Sequence, residues 1–531
     1  MHDAEAVPEV DGARAEAAPH GQSPSNATRE LRAALVEIER PSRSLALAER
    51  RSAFLADKWD VYGQLALIER ARGRPEAAFE ASERLRAREM LELLQLGRLS
   101  SPDSASALVS REQDLRHRIA ELTHDADSAD ADALRGSDAP PASAASREAL
   151  GHAQEAYGEL LLEMRERNPR HMTLVAAVTA TWRDVGRRLG SDAALIEYLA
   201  SDSGSLAFVV TRDTFAVVDL GVERRTLARL VEFARGTVVL TPAGSTPAES
   251  LWRGPLRQLN QYLIAPLEET GLLTGKARLI LAPHAELHYV PFAALLGGAG
   301  RTRFLIERYE VAVTPSASVW LALGDRRAGP VPSGTLALAP RTDVLPASRR
   351  EVAAVGRLGG PDVQVLSGGT ATETAFRREA PTRRILHLAT YGVLNKQNPL
   401  FSYVDLAADS AEDGRLEVHE VFGLHLAADL VVLSACQTGL GSGALGDVPA
   451  GDDWVGLTRA FLHAGAANVV ATLWPVEDWA TASLMERFYD GYRSDGNTER
   501  ALAAAQRGLL AAPATSHPFY WAGFVSVGGG R

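Results

Sequence analysis

The sequence predicts an α/β protein with a mainly parallel sheet flanked by helices, preceded by an all-helical region. From Leu206 onward, short apolar strands alternate with amphipathic segments. This alternation favours parallel strands with helices on both faces of the sheet. Before residue 170, apolar residues recur at helical spacing instead. The chain therefore divides into a helical N-terminal part and a larger α/β part.

Length, charge and cysteine content define the broad class of the protein. The 531 residues are enough for two or three domains, and the net charge is −11. An acidic chain does not favour a general nucleic-acid or anionic-membrane surface. A single cysteine excludes an intramolecular disulfide and suits a reducing cytoplasm. The N-terminus lacks signal-peptide features, and no apolar run reaches the ~20 residues that span a bilayer. We therefore expect a cytoplasmic protein without a membrane span.

The helical region divides into three predicted parts. Residues 1–26 are polar and lack apolar periodicity, which predicts a disordered tail. Residues 27–100 resemble tetratricopeptide helices: Tyr62, Leu65 and Ala66 share one face, and Gly73 separates them from a second helix that begins near Ala77. One such unit is fewer than the three or so that a free-standing array needs, so we expect it to pack on its neighbours. Residues 101–170 predict an antiparallel helical hairpin. We expect residues 28–170 to form a domain separate from the sheet.

The α/β part, residues 171–531, begins with a predicted β-hairpin over Leu206–Leu220. A helix near Leu251–Leu267 and a strand over Ala277–Pro283 follow. His284 and His288 are spaced as a metal pair, but no histidine or carboxylate cluster completes a site, and no phosphate-binding glycine loop is present. We therefore predict no metal or cofactor. The strands Thr335–Pro340 and Val363–Gly368 then alternate with helices at Arg349–Leu358 and from Thr372.

The stretch around Cys436 carries the strongest functional signal. Val431, Val432 and Leu433 form an apolar run typical of a buried strand, which ends in small residues and the cysteine. Ligands and catalytic groups gather at the carboxyl edge of open α/β sheets. A second apolar strand ends at Thr390, 45 residues upstream, so we expect the two strands to be adjacent and parallel. The alternative is a buried cysteine that only fills space.

Four ordered blocks of sequence resemble the CHAT family of caspase-like domains. The blocks are RILHLATYG (Arg384–Gly392), SACQTG (Ser434–Gly439), the segment Trp454–Asp478 with its LWPVED end, and HPFYWAGFVSVG (His517–Gly528). The resemblance extends from about Leu195 to the C-terminus. It implies a caspase-like fold, and it implies peptide-bond hydrolysis by a strand-end cysteine.

The catalytic residues follow from the resemblance, with one departure from the family pattern. It implies that Cys436 is the nucleophile and that Gly392 contributes to the oxyanion hole. The family places its histidine base at the position of Tyr391. His387 is a candidate base in its place, although four strand residues span ~13 Å and a base must lie within ~3 Å of the sulfur. Three further candidates are His419, His425 and His463, and the site could also lack a base.

Acidic residues near the cysteine predict a subsite for a basic side chain of the substrate. Asp447, Asp452 and Asp453 follow Cys436, and Glu477 and Asp478 follow the next strand. Asp478 is the strongest candidate because it lies within the family's Trp-x-Val-x-Asp block. The alternative is that these acids are ordinary helix caps or loop residues.

Two functions remain open from the sequence. The first is a caspase-like cysteine peptidase that uses Cys436 and is regulated through its helical N-terminal region. The second is an inactive pseudoprotease in which the same fold binds or scaffolds proteins. Both predict a protein partner or substrate, and neither requires a cofactor.

Overall fold

A computed structural model describes residues 61–97, 179–240, 251–298, 303–325, 333–358, 362–393, 401–437 and 452–529, and isolated positions before residue 161. Residues 87–97, 435–437 and 452–455 are described by their backbone. The predicted tail of residues 1–26 and most of the predicted hairpin of residues 101–170 lie outside these ranges.

The N-terminal helix pair has the predicted form. Residues 61–71 are helical, Gly73 occupies the turn with a φ of 70°, and helix α1 (Pro75–Gly97) follows. Gly73 adopts a left-handed backbone conformation, which is higher in free energy for residues with a Cβ atom than for glycine. The turn therefore lies where the sequence predicted it.

The first half of the sheet comprises residues 193–313 and its flanking helices. Its strands are β1 (Ala193–Ser201), β2 (Gly204–Val210), β3 (Phe215–Asp219), β4 (Arg278–Ala282) and β7 (Glu310–Val313). A separate two-stranded ribbon consists of β5 (Leu296–Gly297) and β6 (Arg303–Phe304). The helices are α2 (Trp182–Arg188), α3 (Arg224–Val238), α4 (Arg253–Leu263), α5 (Ala265–Glu269) and α6 (Ala317–Asp325).

The second half of the sheet comprises the remaining strands. They are β8 (Thr335–Ala339), β9 (Val363–Ser367), β10 (Ile385–Val393), β11 (Tyr403–Asp405), β12 (Arg415–Glu417), β13 (Leu430–Gln437), β14 (Asn468–Thr472) and β15 (Phe524–Gly528). The helices are α7 (Pro346–Leu358), α8 (Glu373–Glu379), α9 (Val418–Phe422), α10 (Asp452–Ala464), α11 (Asp478–Asp495) and α12 (Thr498–Ala511). Thr372 caps α8, where its hydroxyl accepts a hydrogen bond from the Ala375 N–H.

All the strands except β5 and β6 form one sheet of 13 strands. Within the first half, β1, β4 and β7 are parallel; within the second, β9, β8, β10, β13 and β14 are parallel. Strand β15 joins the halves, because it is parallel to β7 and antiparallel to β14. The two halves therefore run in opposite directions, and their carboxyl ends lie at opposite edges of the sheet. The predicted parallel core is confirmed, with antiparallel strands added at its margins.

The N-terminal helices pack directly on the first half of the sheet. Tyr62, Phe79 and Leu85 belong to one apolar cluster with Leu195 and Phe208 of β1 and β2. Helix α1 also packs against α6, α9 and α10. The expected packing on neighbours is confirmed for this helix pair, whereas the expected separation from the sheet is not found. A single helix pair exposes too much apolar surface to stand alone, and the sheet covers it.

Several predicted elements agree with the structure, and others were not predicted. The hairpin over Leu206–Leu220 is β2 and β3, and the strand over Ala277–Pro283 is β4. Strands β1, β7, β11 and β12 were not predicted, because short or fully buried strands lack a clear alternation of apolar and polar residues. Among the described residues, none of the helices is both long and apolar enough to cross a membrane.

Candidate active site

The ends of strands β10 and β13 form the centre of the candidate site. The two strands are adjacent and parallel, and their register pairs Thr390 with Ala435 and Tyr391 with Cys436. The predicted adjacency is therefore confirmed. The register gives the paired residues equivalent positions along the two strands. Tyr391 thus occupies the strand position next to Cys436, at the carboxyl edge of the second half.

Gly392, the predicted oxyanion residue, lies within the strand rather than in a loop beyond it. It is buried, and it pairs with Gln437 of β13 on one side and with Val404 of β11 on the other. Strand β11 thus continues the sheet beside the end of β10 and fixes the backbone next to Tyr391.

His387 lies away from Cys436 along the strand. Its register partner is Val432, four residues before Cys436, which corresponds to ~13 Å along a strand. The ring is fully buried, with Nδ1 2.9 Å from the Tyr489 hydroxyl of α11 and Nε2 3.0 Å from Glu351 Oε1 of α7. The structure therefore does not bring His387 to Cys436. Its ring lies among the helices that cover this face of the sheet.

The other candidate histidines lie on or after the short helix α9, or at the end of α10. His419 is buried, and its Nδ1 is 3.2 Å from Glu417 Oε2. His463 packs against Phe422, with ring centroids 5.4 Å apart, whereas His425 is exposed. Helix α9 ends shortly before β13 begins, and α10 ends shortly before β14 begins, so these residues lie towards the amino edge. Residues 394–400 and 438–451, which follow β10 and β13 in the sequence, contain no histidine.

Asp478, the strongest predicted subsite residue, contacts the N-terminus of another helix. Its Oδ2 accepts a hydrogen bond from the Ala347 N–H at the start of α7, with 2.6 Å between the atoms. Burial raises the pKa of Asp478, and the negative charges of Glu351 and Glu477 raise it further. The hydrogen bond from the Ala347 N–H acts in the opposite direction and lowers this pKa. Asp478 thereby joins the loop after β14 to the loop after β8. Asp447 lies outside the described residues, and Asp452 and Asp453 are the first residues of α10, described by their backbone.

Exposed apolar side chains near this edge were not predicted from the sequence. Val344, in the loop after β8, is 58% exposed, and Trp479, at the start of α11, is 45% exposed. The ring centroids of Trp479 and Tyr520 are 5.4 Å apart. Ligands of open α/β sheets bind outside the carboxyl ends of the strands, and both side chains lie in segments that follow such strand ends. The repeated tryptophans in WPVEDW were the available signal in the sequence.

Trp474 fixes the loop that carries these residues. It is buried, and its indole N–H donates to the Phe519 carbonyl oxygen at 3.0 Å. Its ring lies against Gly523, where a Cβ atom would come within 2.9 Å of the indole. Glycine is therefore needed at this position for the ring to pack so closely. This packing ties the loop after β14 to the segment before β15.

One group of three carboxylates has the spacing of metal ligands. Oxygens of Glu373, Glu412 and Glu420 lie within 4.8 Å of one another. The Arg377 guanidinium contacts all three, at 2.7 Å, 3.5 Å and 2.6 Å respectively. Arginine is thus the cation at this position, which is away from Cys436. A cavity of about 350 Å³ lies at the other edge, where Thr335 and Ile385 begin their strands.

The sequence matches a known family and two curated relatives. Residues 253–529 match the model of the CHAT domain, which is just over half of the chain. Tetratricopeptide repeat protein 28 of Mus musculus is 29% identical over 338 residues, and that of Homo sapiens is 28% identical over 335 residues. Each alignment covers 52% of this chain and 13% of the relative, so the chain matches only a small part of these proteins.

Two solved structures are also similar to the chain. The Saccharomyces cerevisiae separase–securin complex gives a TM-score of 0.47 at 11% identity, covering 95% of this chain and 40% of that chain. The Arg-specific cysteine proteinase gingipain R gives 0.31 at 9% identity, covering 57% and 73% respectively. Both TM-scores are below 0.5. The match to the family model, together with the register that pairs Tyr391 with Cys436 near the ends of their strands, leads to one conclusion: the chain belongs to the CHAT domain family.

Proposed function

We propose that the chain is a caspase-like pseudoprotease, which binds polypeptides at the Cys436 edge and has lost efficient hydrolysis. The observation that carries this proposal is the register of β10 and β13, which pairs Tyr391 with Cys436. The family pattern requires a histidine at position 391. In its place stands a phenol, and His387 is held elsewhere by Tyr489 and Glu351.

A phenol is a poor replacement for the histidine base. Free phenols have a pKa near ~10, so at neutral pH tyrosine keeps its proton and donates hydrogen bonds instead of accepting the thiol proton. An unassisted thiol with a pKa near ~8.5 is only a few per cent thiolate at pH 7. Loss of a general base lowers the rate by a factor on the order of 10²–10⁴. A polypeptide bound at this edge is then released largely uncut.

A second candidate function is slow cysteine-peptidase activity by Cys436 itself. It is favoured by the cysteine and by Gly392, which stand at the strand ends where the family places the nucleophile and an oxyanion donor. In both versions the helical N-terminal region contacts a protein partner and the protein works in the cytoplasm. The subsite acids of the sequence prediction, Asp478, Asp452 and Asp453, remain part of this proposal.

The direct test is to restore the base with Tyr391→His. Because Cys436 is the only cysteine in the chain, alkylation by iodoacetamide followed by intact mass reports on this thiol alone. We expect Tyr391→His to raise the alkylation rate at pH 7 by about tenfold or more, since an imidazole near pKa ~6.5 stabilises the thiolate. Cleavage of a blocked fluorogenic peptide library should rise by a factor on the order of 10².

Tyr391→Phe is the matched control, because it removes only the hydroxyl and should leave both rates near the wild-type values. Cys436→Ala should abolish all cleavage. Wild-type protein that cleaves the library efficiently, with no gain from Tyr391→His, would contradict the pseudoprotease proposal. A gain in alkylation without any cleavage would contradict the view that the base alone is missing.

A further inference from the structure

The surface next to Cys436 on the β14 side has a distinct composition. Strands β13 and β14 are parallel neighbours whose register pairs Val431 with Val469, an offset of 469 − 431 = 38 residues. Continued along the strands, this offset places residue 474 beside residue 436. Residues 477–479 follow only three to five positions later, which spans at most ~10–18 Å of extended chain. The start of α11 therefore lies within reach of a short peptide bound at Cys436.

Two aromatic rings form the apolar part of this surface. Trp479 is 45% exposed and contacts Tyr520 at a tilt of 50°, with the ring centroids 5.4 Å apart. The Tyr520 ring also contacts the Phe519 ring in an edge-to-face arrangement, with the ring centroids 5.3 Å apart. The faces of such rings carry negative electrostatic potential and attract cations, tryptophan most strongly.

A carboxylate accompanies the rings. Glu477 is exposed, and it lies close enough to Tyr520 to raise the pKa of that phenol, although burial is the larger cause. Glu477 also adds to the raised pKa of Asp478. Within the described part of the chain, no arginine or lysine forms an ion pair with Glu477. The negative charge thus faces solvent beside the rings.

Two arginines in the segment that follows β8 are engaged in contacts of their own. Arg341 forms a bidentate pair with Asp405, with its Nε 2.6 Å from Oδ2. Arg349 donates to the Thr342 hydroxyl at 3.0 Å. Both contacts lie on the β8 side of Tyr391, whereas Trp479 and Glu477 lie on the β14 side. Both arginines therefore have partners other than Glu477.

We infer that Trp479, Tyr520 and Glu477 form a subsite for a lysine or arginine side chain of the polypeptide bound at the Cys436 edge. The occupant should be a cation, because the rings and the carboxylate attract positive charge. It should also be a long side chain, because the methylene groups of lysine or arginine can cover the exposed indole. This subsite differs from the predicted Asp478 subsite, since Asp478 is engaged with the Ala347 N–H. The inference rests on the proposed peptide binding and specifies which peptides are bound.

The test uses two peptidyl chloromethyl ketones that differ in one side chain, acetyl-Ala-Ala-Ala-Lys and acetyl-Ala-Ala-Ala-norleucine. Each alkylates Cys436 by forming a C–S bond with loss of chloride, so no peptide turnover is needed. We expect the lysine reagent to react about tenfold faster than the norleucine reagent. This factor is what a cation–π contact and an exposed charge pair together contribute. The preference should shrink as salt is added, because exposed charges are screened.

Variants of exposed residues assign the preference to this surface without endangering the fold. Glu477→Gln and Trp479→Leu should each reduce the ratio of the two rates towards one, and Trp479→Phe should restore part of it. Asp490→Asn is the matched control, because it removes an exposed carboxylate from the same helix ~16 Å away, and it should leave the ratio unchanged.

The outcomes separate the inference from the proposed function. Equal rates for the two reagents, both well above the rate of iodoacetamide, would overturn the cation subsite and leave peptide binding intact. Equal rates no faster than iodoacetamide would overturn peptide binding itself. A lysine preference that survives both Glu477→Gln and Trp479→Leu would assign the cation to another surface and reject this one.

Discussion

The two halves of the sheet present contrasting carboxyl edges. In the first half, α1 inserts Arg86 at the ends of β1, β4 and β7. The buried Arg86 side chain donates to four backbone carbonyls and pairs with a buried carboxylate: Tyr198, Ala282, Pro283 and Pro315 supply the carbonyls, and Glu197 the carboxylate. In the second half, the corresponding edge carries Tyr391 and Cys436 beside exposed Val344 and Trp479.

A second residue of α1 completes this closure of the first edge. Glu83 accepts hydrogen bonds from the Ala317 and Ser318 N–H groups at the start of α6, at 3.0 Å and 2.9 Å. Burial raises the pKa of Glu83, and so does neighbouring Glu197. His284, also buried here, has a pKa lowered by burial and by Arg86. The same kind of sheet edge thus serves as an internal joint in one half and as a candidate binding site in the other.

The largest effect should come from breaking the joint of the first half with Arg86→Met. This change leaves Glu197 and several carbonyls buried without their cation, which costs about 3–5 kcal/mol when one partner of a buried pair is removed. The measurement is the free energy of the first urea-unfolding transition. Arg187→Met is the control, because Arg187 is 77% exposed and its pair with Asp184 contributes at most about 1 kcal/mol. Equal losses for the two variants would show that the joint is not a major source of stability.

A pH-dependent effect of intermediate size should come from the second half. Burial raises the pKa of Glu373 to about 8, with Glu420 adding to the shift and Arg377 opposing it. The folded protein therefore binds this proton more tightly than the unfolded chain, and the free energy of unfolding falls as pH rises from about 4.5 to about 8.

Glu373→Gln removes this titration and should flatten that part of the profile. Urea unfolding of both proteins at pH 5, 6, 7 and 8 measures the difference, and the titration of groups distant from Glu373 cancels in the comparison. Parallel profiles for the two proteins would mean that Glu373 does not hold a proton in the folded state.

The smallest effect on stability should come from Asp478→Ala, at the carboxyl edge of the second half of the sheet. Loss of the hydrogen bond to the Ala347 N–H should lower stability by about 1 kcal/mol, as for other helix N-terminal contacts. Asp478→Asn keeps an acceptor oxygen and should lose less. If Asp478→Ala instead leaves thermal unfolding unchanged and slows Cys436 alkylation by the lysine reagent, the residue contacts substrate, as the sequence pattern predicts.

The carboxyl edge that carries Tyr391 and Cys436 could be located from the sequence. The side-chain contacts around this edge could not. Two apolar strands separated by one crossover have few arrangements, so the adjacency of Tyr391 and Cys436 followed from chain geometry. The burial of His387 between Tyr489 and Glu351 depends on helices 102 and 36 residues away in sequence. The role of Asp478 likewise depends on a contact 131 residues distant. Periodicity carries no information about such contacts.

Arg86 illustrates the same limit in the N-terminal region. On a helical pattern it reads as one of several solvent-facing charges of α1, and charged residues are rarely buried unless they are paired. Its partners lie 111 to 229 residues away, on strands and loops that the sequence alone does not place against α1. The sequence therefore predicted the helix pair correctly but not the depth of its attachment.

The opposite directions of the two halves have a consequence for regulation. Strand β13 is eight residues long, so the edge that receives Arg86 and the edge that carries Cys436 are separated by ~26 Å. The joint residues of α1 therefore do not compete with a polypeptide for Cys436, and both edges can be occupied at once. A regulator that displaces the N-terminal helices would act by changing the contacts of Arg86 and Glu83 with the first half of the sheet. Its effect would be non-competitive towards the bound polypeptide.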